Sequence, residues 1–178
     1  FDYFSPYATP VNPLPREKIN FKITNCEFDT FCYAMGLEGM MNSRVIIGEN
    51  NKGNVFNNND QQGGIWEGRN TEVSIEGNTY NIPEFSYGLD LDDYPYYKIF
   101  RNEPSEKATV FNVQNNNFNM THSEYALFLR NTRARSNPAE PATIYQVKSN
   151  LFNMTDGYEW GILSYYTKGA VIRNNRFT

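Results

Sequence analysis

Apolar residues along this chain come in closely spaced pairs rather than at helical intervals. Phe21/Ile23, Val45/Ile47, Val73/Ile75, Phe111/Val113 and Tyr145/Val147 each set two side chains on one side with a residue of opposite direction between them. That is the period of a strand with one buried face. Each pair leads into a similar phrase: "ITNCEF" (Ile23–Phe28), "IEGNTY" (Ile75–Tyr80), "VQNNNF" (Val113–Phe118) and "VKSNLF" (Val147–Phe152), with "IRNNRF" (Ile172–Phe177) near the end. A sixth copy runs from Ile47 to "NVF" at Asn54–Phe56, with "NNKG" or a close equivalent inserted. Every copy is a β-branched residue, a polar turn and an aromatic. Two positions before the aromatic stand Cys26, Asn54, Asn78, Asn116, Asn150 and Asn175, and only the first is not asparagine.

A second pattern keeps step with the first. Leu37, Ile65, Leu89 and Leu127 follow the aromatic by nine residues and Ile162 by ten, each after a small residue (Gly36, Gly64, Gly88, Ala126, Gly161). Extra length is confined mainly to 93–107 and 130–141. Registered columns with loop-confined insertions predict stacked coils of short strands. At about 4.8 Å per coil, six coils make a rod about 29 Å long. A β-sandwich is the competing architecture, but it has no need of asparagine at one repeated position. The asparagines are expected to occupy left-handed turns and to bond from coil to coil. On that reading Asn116→Ala destabilises and Asn119→Ala does not.

The alternation of "VSIEGNTYN" with "YGLDLD", and of "VIIGENNKGNVFNNND" with "GGIWEG", resembles the right-handed parallel β-helix of the pectin-lyase-like superfamily, over about Ile19 to Thr178. The resemblance implies an all-β solenoid of about six coils, with long loops after the third and fourth cleft-side strands. It also implies that the outward face of the "G-[IL]-x-x" strand handles carbohydrate. The superfamily includes lyases, glycoside hydrolases and noncatalytic modules, so the fold leaves the activity open. The "NTD", "GHG" and "RIK" motifs of polygalacturonases and the proline-flanked arginine strand of pectate lyases are absent from the sequence.

Stacking that strand from each repeat gives two expected outward rows: Glu38, Trp66, Asp90, Phe128, Leu163, and Met40, Gly68, Asp92, Arg130, Tyr165. Aromatic faces stack on sugar rings while polar groups bond hydroxyls; the competing reading packs Trp66 and Phe128 under the neighbouring long loops. Asp90 and Asp92 share a strand face at roughly 6.5–7 Å, within the range of an inverting glycosidase pair. Asp93 extends them toward a Ca2+ site, and a structural ion pair with Arg130 is the alternative. Arg130, Arg133 and Arg135 suit two-point contacts to carboxylates or sulfates of an acidic polymer, or simply solvate their loop. A lyase base would be Arg130 or Lys98. Candidate catalytic residues are therefore Asp90, Asp92 and Arg130. Candidate substrate contacts are Glu38, Trp66, Phe128, Tyr165, Arg133 and Arg135.

Composition narrows the partners. With 39% hydrophobic and 16% aromatic residues the chain can build one sizeable core. A net charge of −4 argues against nucleic acid, and no apolar run is long enough to span a bilayer. The expectation is a monomeric extracellular or cell-surface domain that binds or processes polysaccharide; the alternative is a noncatalytic structural or adhesin module. His122, the sole histidine, is expected to be exposed, leaving little support for a Ser-His-Asp arrangement. Cys26 and Cys32 read as two buried free thiols or, in a secreted chain, a small disulfide. "NMT" at Asn119–Thr121 and Asn153–Thr155 has N-glycosylation form, as a by-product of the repeat. Residues 1–18 read as an arm or linker, and 19–178 as the β-helix. Phe1 at the start suggests a processed or excised chain, and "NNRFT" at the end suggests that further coils follow.

Overall fold

A computed structural model describes residues 20–38, 40, 42–66, 71–92, 108–131, 143–155, 160–167 and 169–178. The fold is a right-handed parallel β-helix of about six coils. Each of the first five coils contributes three strands: β1 (Asn20–Ile23), β2 (Glu27–Asp29) and β3 (Gly36–Glu38); β4 (Arg44–Ile47), β5 (Val55–Asn57) and β6 (Gln61–Trp66); β7 (Glu72–Glu76), β8 (Thr79–Ile82) and β9 (Tyr87–Asp92); β10 (Val110–Gln114), β11 (Asn117–Met120) and β12 (Tyr125–Arg130); and β13 (Ile144–Lys148), β14 (Leu151–Met154) and β15 (Trp160–Tyr165). The last coil supplies β16 (Gly169–Arg173) and β17 (Arg176–Phe177). The strands assemble into three all-parallel sheets: sheet A (β1-β4-β7-β10-β13-β16), sheet B (β2-β5-β8-β11-β14-β17) and sheet C (β3-β6-β9-β12-β15). Pairing every strand with the strand one coil away is what rules out the sandwich.

The paired apolar residues fall into register as the pattern requires. Val45, Val73, Phe111 and Tyr145 form one inward column, and Ile47, Ile75, Val113 and Val147 another; all eight are buried. On sheet B the repeat aromatics form a continuous stack, Phe28–Phe56–Tyr80–Phe118–Phe152–Phe177, with successive ring centroids 4.7–5.0 Å apart. Coil rise and ring-stacking distance nearly coincide, so each coil adds a stacked pair at no cost in geometry.

The asparagine column is a hydrogen-bonded ladder. Each amide nitrogen of Asn54, Asn78, Asn116 and Asn150 donates to the side-chain oxygen of the asparagine one coil on, and the same oxygen accepts the backbone N–H of the earlier asparagine, all at 2.8–3.0 Å. Each nitrogen also donates back to a carbonyl near the end of the preceding coil's first strand; for Asn116 this is Ile75 O, at 2.9 Å. At Cys26 only the backbone bond survives, to Asn54 Oδ1 at 3.0 Å, since a thiol cannot replace an amide that donates and accepts.

Two details differ from the sequence reading. The left-handed residue is not the ladder asparagine but its predecessor: Asn25, Gly77, Asn115, Ser149 and Asn174 carry φ of 56–70°. Asn115 makes the turn so that Asn116 can point inward. Second, Asn119 is no bystander. Asn81 donates to Asn57 (2.6 Å), Asn119 to Asn81 (2.7 Å) and Asn153 to Asn119 (2.8 Å), forming a half-buried ladder on the outside of sheet B.

Two tyrosines in the core make opposite predictions. Tyr80 is fully buried in the aromatic stack and its hydroxyl has no partner among the described residues, so burial pushes its proton affinity up. Tyr145 instead reaches across from sheet A to sheet C, donating to the carbonyls of Leu91 (3.1 Å) and Arg130. Tyr80→Phe is expected to leave stability unchanged or raise it by up to about 1 kcal/mol, whereas Tyr145→Phe should lower it by about 1–2 kcal/mol. Denaturant titration of both decides it. Equal losses would contradict the assignment.

Candidate functional site

The outward face of sheet C carries Trp66, Asp90, Asp92, Phe128, Arg130 and Tyr165, but the rows differ from expectation by two positions in the first two coils. The pairing is Glu38↔Trp66↔Asp92↔Arg130↔Tyr165, with Gly64↔Asp90↔Phe128↔Leu163 beside it. The nine-residue offset from the aromatic does not hold here because coil lengths differ before the strand. Four positions separate Asn57 from Gln61 but six separate the paired Asn81 from Tyr87. Ile65 consequently pairs with Leu91, and Gly63 with Leu89.

This shift places Trp66 where it can touch Asp90. The indole lies over Gly64 of its own strand and Gly36 of the strand before, where a Cβ on Gly64 would collide with the ring. Trp66 Nε1 donates to Asp90 Oδ2 at 3.3 Å. Asp90 also receives Arg130 in two-point fashion, through Nε at 3.0 Å and through Nη2. The same Arg130 Nε stands 3.6 Å from Asp92, so both carboxylates converge on one guanidinium. The guanidinium carbon lies 4.7 Å from the Phe128 ring centre, and Tyr165 meets Phe128 edge-on at 5.4 Å. Trp66, Asp90, Arg130, Phe128 and Tyr165 thus form one connected chain across four coils.

Electrostatics follow from burial. Asp90 and Asp92 are both buried. Desolvation holds the Asp90 carboxyl above its ordinary range, outweighing the opposing pull of Arg130 and Trp66. Burial works against the Arg130 charge, but Asp90 and Asp92 more than restore it. Tyr125, a residue the sequence reading did not select, belongs to the same group. Its ring lies 5.2 Å from Phe128, and burial together with Asp90 raises its proton affinity. The available signal was "YALFLR" itself, with Tyr125 three residues before Phe128.

Among the remaining predicted residues, Glu38 is placed by its backbone opposite Trp66, while its side chain lies outside the described residues. Arg133, Arg135, Asp93 and Lys98 lie outside them as well, as do residues 1–19 and the segments 93–107 and 132–142. No group of three or more His, Cys, Asp or Glu among the described residues is placed to hold a metal, and Asp90 is already engaged by Arg130 and Trp66. His122 is half-buried rather than exposed, with its ring edge against Phe85 at 5.7 Å. Cys26 and Cys32 are free thiols, one of the two expected readings, but both are exposed; they occupy turns of the first coil, which among the described residues has one neighbouring coil.

Gly64→Ala tests the glycine floor under Trp66. The added methyl is expected to lift the indole from Asp90 and shift its emission to longer wavelength, read in a Trp160→Phe background. Unchanged emission would mean that the ring does not rest there.

No protein-family model, curated protein or solved structure matches this chain, so the strand register and the side-chain geometry carry the functional reading.

Proposed function

We propose that this β-helix binds polysaccharide along the outward face of sheet C, and that it does so outside the cell or at its surface, as a module of pectin-lyase-like type. The observation that supports this is the connected chain Trp66–Asp90–Arg130–Phe128–Tyr165. It alternates ring faces with fixed polar groups along the solenoid axis, the combination a sugar polymer needs. Binding is favoured over turnover because Asp90 and Asp92 are both engaged by Arg130, which holds the polar groups of this face in fixed positions. Chemistry on the polymer would require one of these pairs to open, with Asp90 as the natural acid because burial raises its proton affinity.

The test is retention on immobilised neutral and acidic glycans, with reducing ends and unsaturated products followed in solution. Retention of at least one glycan, weakened in Trp66→Ala/Tyr165→Ala, is expected. Loss of retention in neither variant, or no retention at all, would remove the reading. Released products would convert it to an enzyme.

A further inference from the structure

The corner where sheet B turns into sheet C exposes aromatic rings that the sheet C network does not use. Tyr33 bridges to Gln61, and Gln61 pairs in turn with Tyr87, Tyr87 with Tyr125, and Tyr125 with Trp160. One column therefore runs the length of five coils with an aromatic in four of them. Tyr33 is 64% exposed, Tyr87 41% and Trp160 54%. Three exposed rings in one registered row, with Tyr125 half-buried and Gln61 buried between them, are more than scattered single exposures and single out this corner as a binding surface.

The exposed charged residues next to the column in the chain are acidic. Asp60 and Glu124 immediately precede Gln61 and Tyr125 in the chain and are exposed. The backbone ties them into the same corner, Tyr87 N–H donating to Asp60 O at 2.8 Å and Trp160 N–H to Glu124 O at 3.2 Å. Among the described residues of the turns at this corner there is no lysine or arginine, and Arg130, which reaches Tyr125 from the sheet C face, is held by Asp90 and Asp92. An acidic polymer or an anionic lipid surface would be repelled here. Hydroxyl groups, by contrast, can donate to the carboxylates while ring faces stack on the apolar side of pyranoses.

We infer that this corner is a second glycan track, which takes a linear, uncharged polysaccharide laid along the solenoid axis. The coil rise of about 4.8 Å is close to the advance of an extended glycan per sugar, so Tyr87, Tyr125 and Trp160 fall at successive residues of one chain and Tyr33 two residues before them. Tyr125 belongs to both surfaces: its ring packs on Phe128 of the sheet C face and on Tyr87 of the corner column at 5.5 Å. The inference extends the glycan-binding reading and names the polymer class and the path it follows.

The chain has two tryptophans, Trp66 and Trp160, one on each surface. Trp66→Phe leaves Trp160 reporting the corner; Trp160→Phe leaves Trp66 reporting sheet C. Each single-tryptophan protein is titrated with a soluble linear glucan or xylan, with polygalacturonate and with poly-lysine, following emission. Trp160 is expected to respond to the uncharged glycan and not to polygalacturonate, and Tyr33→Ala/Tyr87→Ala should weaken that response roughly tenfold or more. Response of Trp66 alone overturns the corner track and leaves the sheet C reading standing. Response of Trp160 alone supports the track and removes the sheet C reading. Response of Trp160 to poly-lysine but to no glycan would assign the corner to a basic partner and overturn the inference. Silence of both tryptophans removes both.

Discussion

Asn116→Ala is expected to cost about 3 kcal/mol and to lower the melting temperature by roughly 6–12 °C. Asn116 Oδ1 accepts two bonds from Asn78 and its amide nitrogen donates to Ile75 O and Asn150 Oδ1. All of these groups are buried at the joint between coils, and alanine leaves them without replacement. Asn119→Ala serves as the comparison. Its bonds to Asn81 and Asn153 are only half-buried, so water can take over, and a loss of about 1 kcal/mol or less is expected. Parallel thermal melts of the two variants measure the difference directly. Equal shifts would mean that the inner ladder does not hold the coils in register.

Arg130→Met should be about as damaging, for an electrostatic reason. The substitution roughly preserves the packing on Phe128 but removes the cation that Asp90 and Asp92 share. Stranding buried carboxylates costs on the order of 3 kcal/mol near neutrality. The pH dependence gives a signature that mere misfolding lacks. Asp90 already binds its proton more tightly when folded than when unfolded. Its contribution is therefore fully present below the ordinary carboxylate value and declines as pH rises through the elevated folded one. Without Arg130 that elevation grows. The deficit of Arg130→Met against the parent should then be largest at pH 7 and shrink on acidification, as denaturant titrations across pH will report. A deficit independent of pH would count against a shared cation.

The repeat made the fold legible because it constrains every coil in the same way. The inward pairs, the aromatic stack and the inner ladder each repeat at a fixed offset, and each offset has one physical cause. What stayed hidden lay where the offset changes. A turn two positions shorter in the second coil moved Trp66 from the row of Asp90 to the row of Asp92, and only there does its indole reach across to Asp90. The outer ladder was visible in principle, since Asn57, Asn81, Asn119 and Asn153 all follow the aromatic directly; a surface asparagine simply carries no sign that its neighbours are asparagines too. The union of Asp90 with Arg130 was harder still. Their backbones are not paired with each other, because Arg130 pairs with Asp92 and Asp90 with Phe128. The contact depends on how a long side chain crosses one strand face.

Hydrogen-exchange mass spectrometry of the protein with and without a retained glycan tests the central claim, that the sheet C face is where polysaccharide binds. Slowed exchange is expected in the later residues of β6, β9, β12 and β15 (64–66, 90–92, 128–130 and 163–165) on addition of glycan, with sheet A unchanged. Slowing confined to sheet A, or no slowing in those four strands with any glycan that is retained, would contradict it.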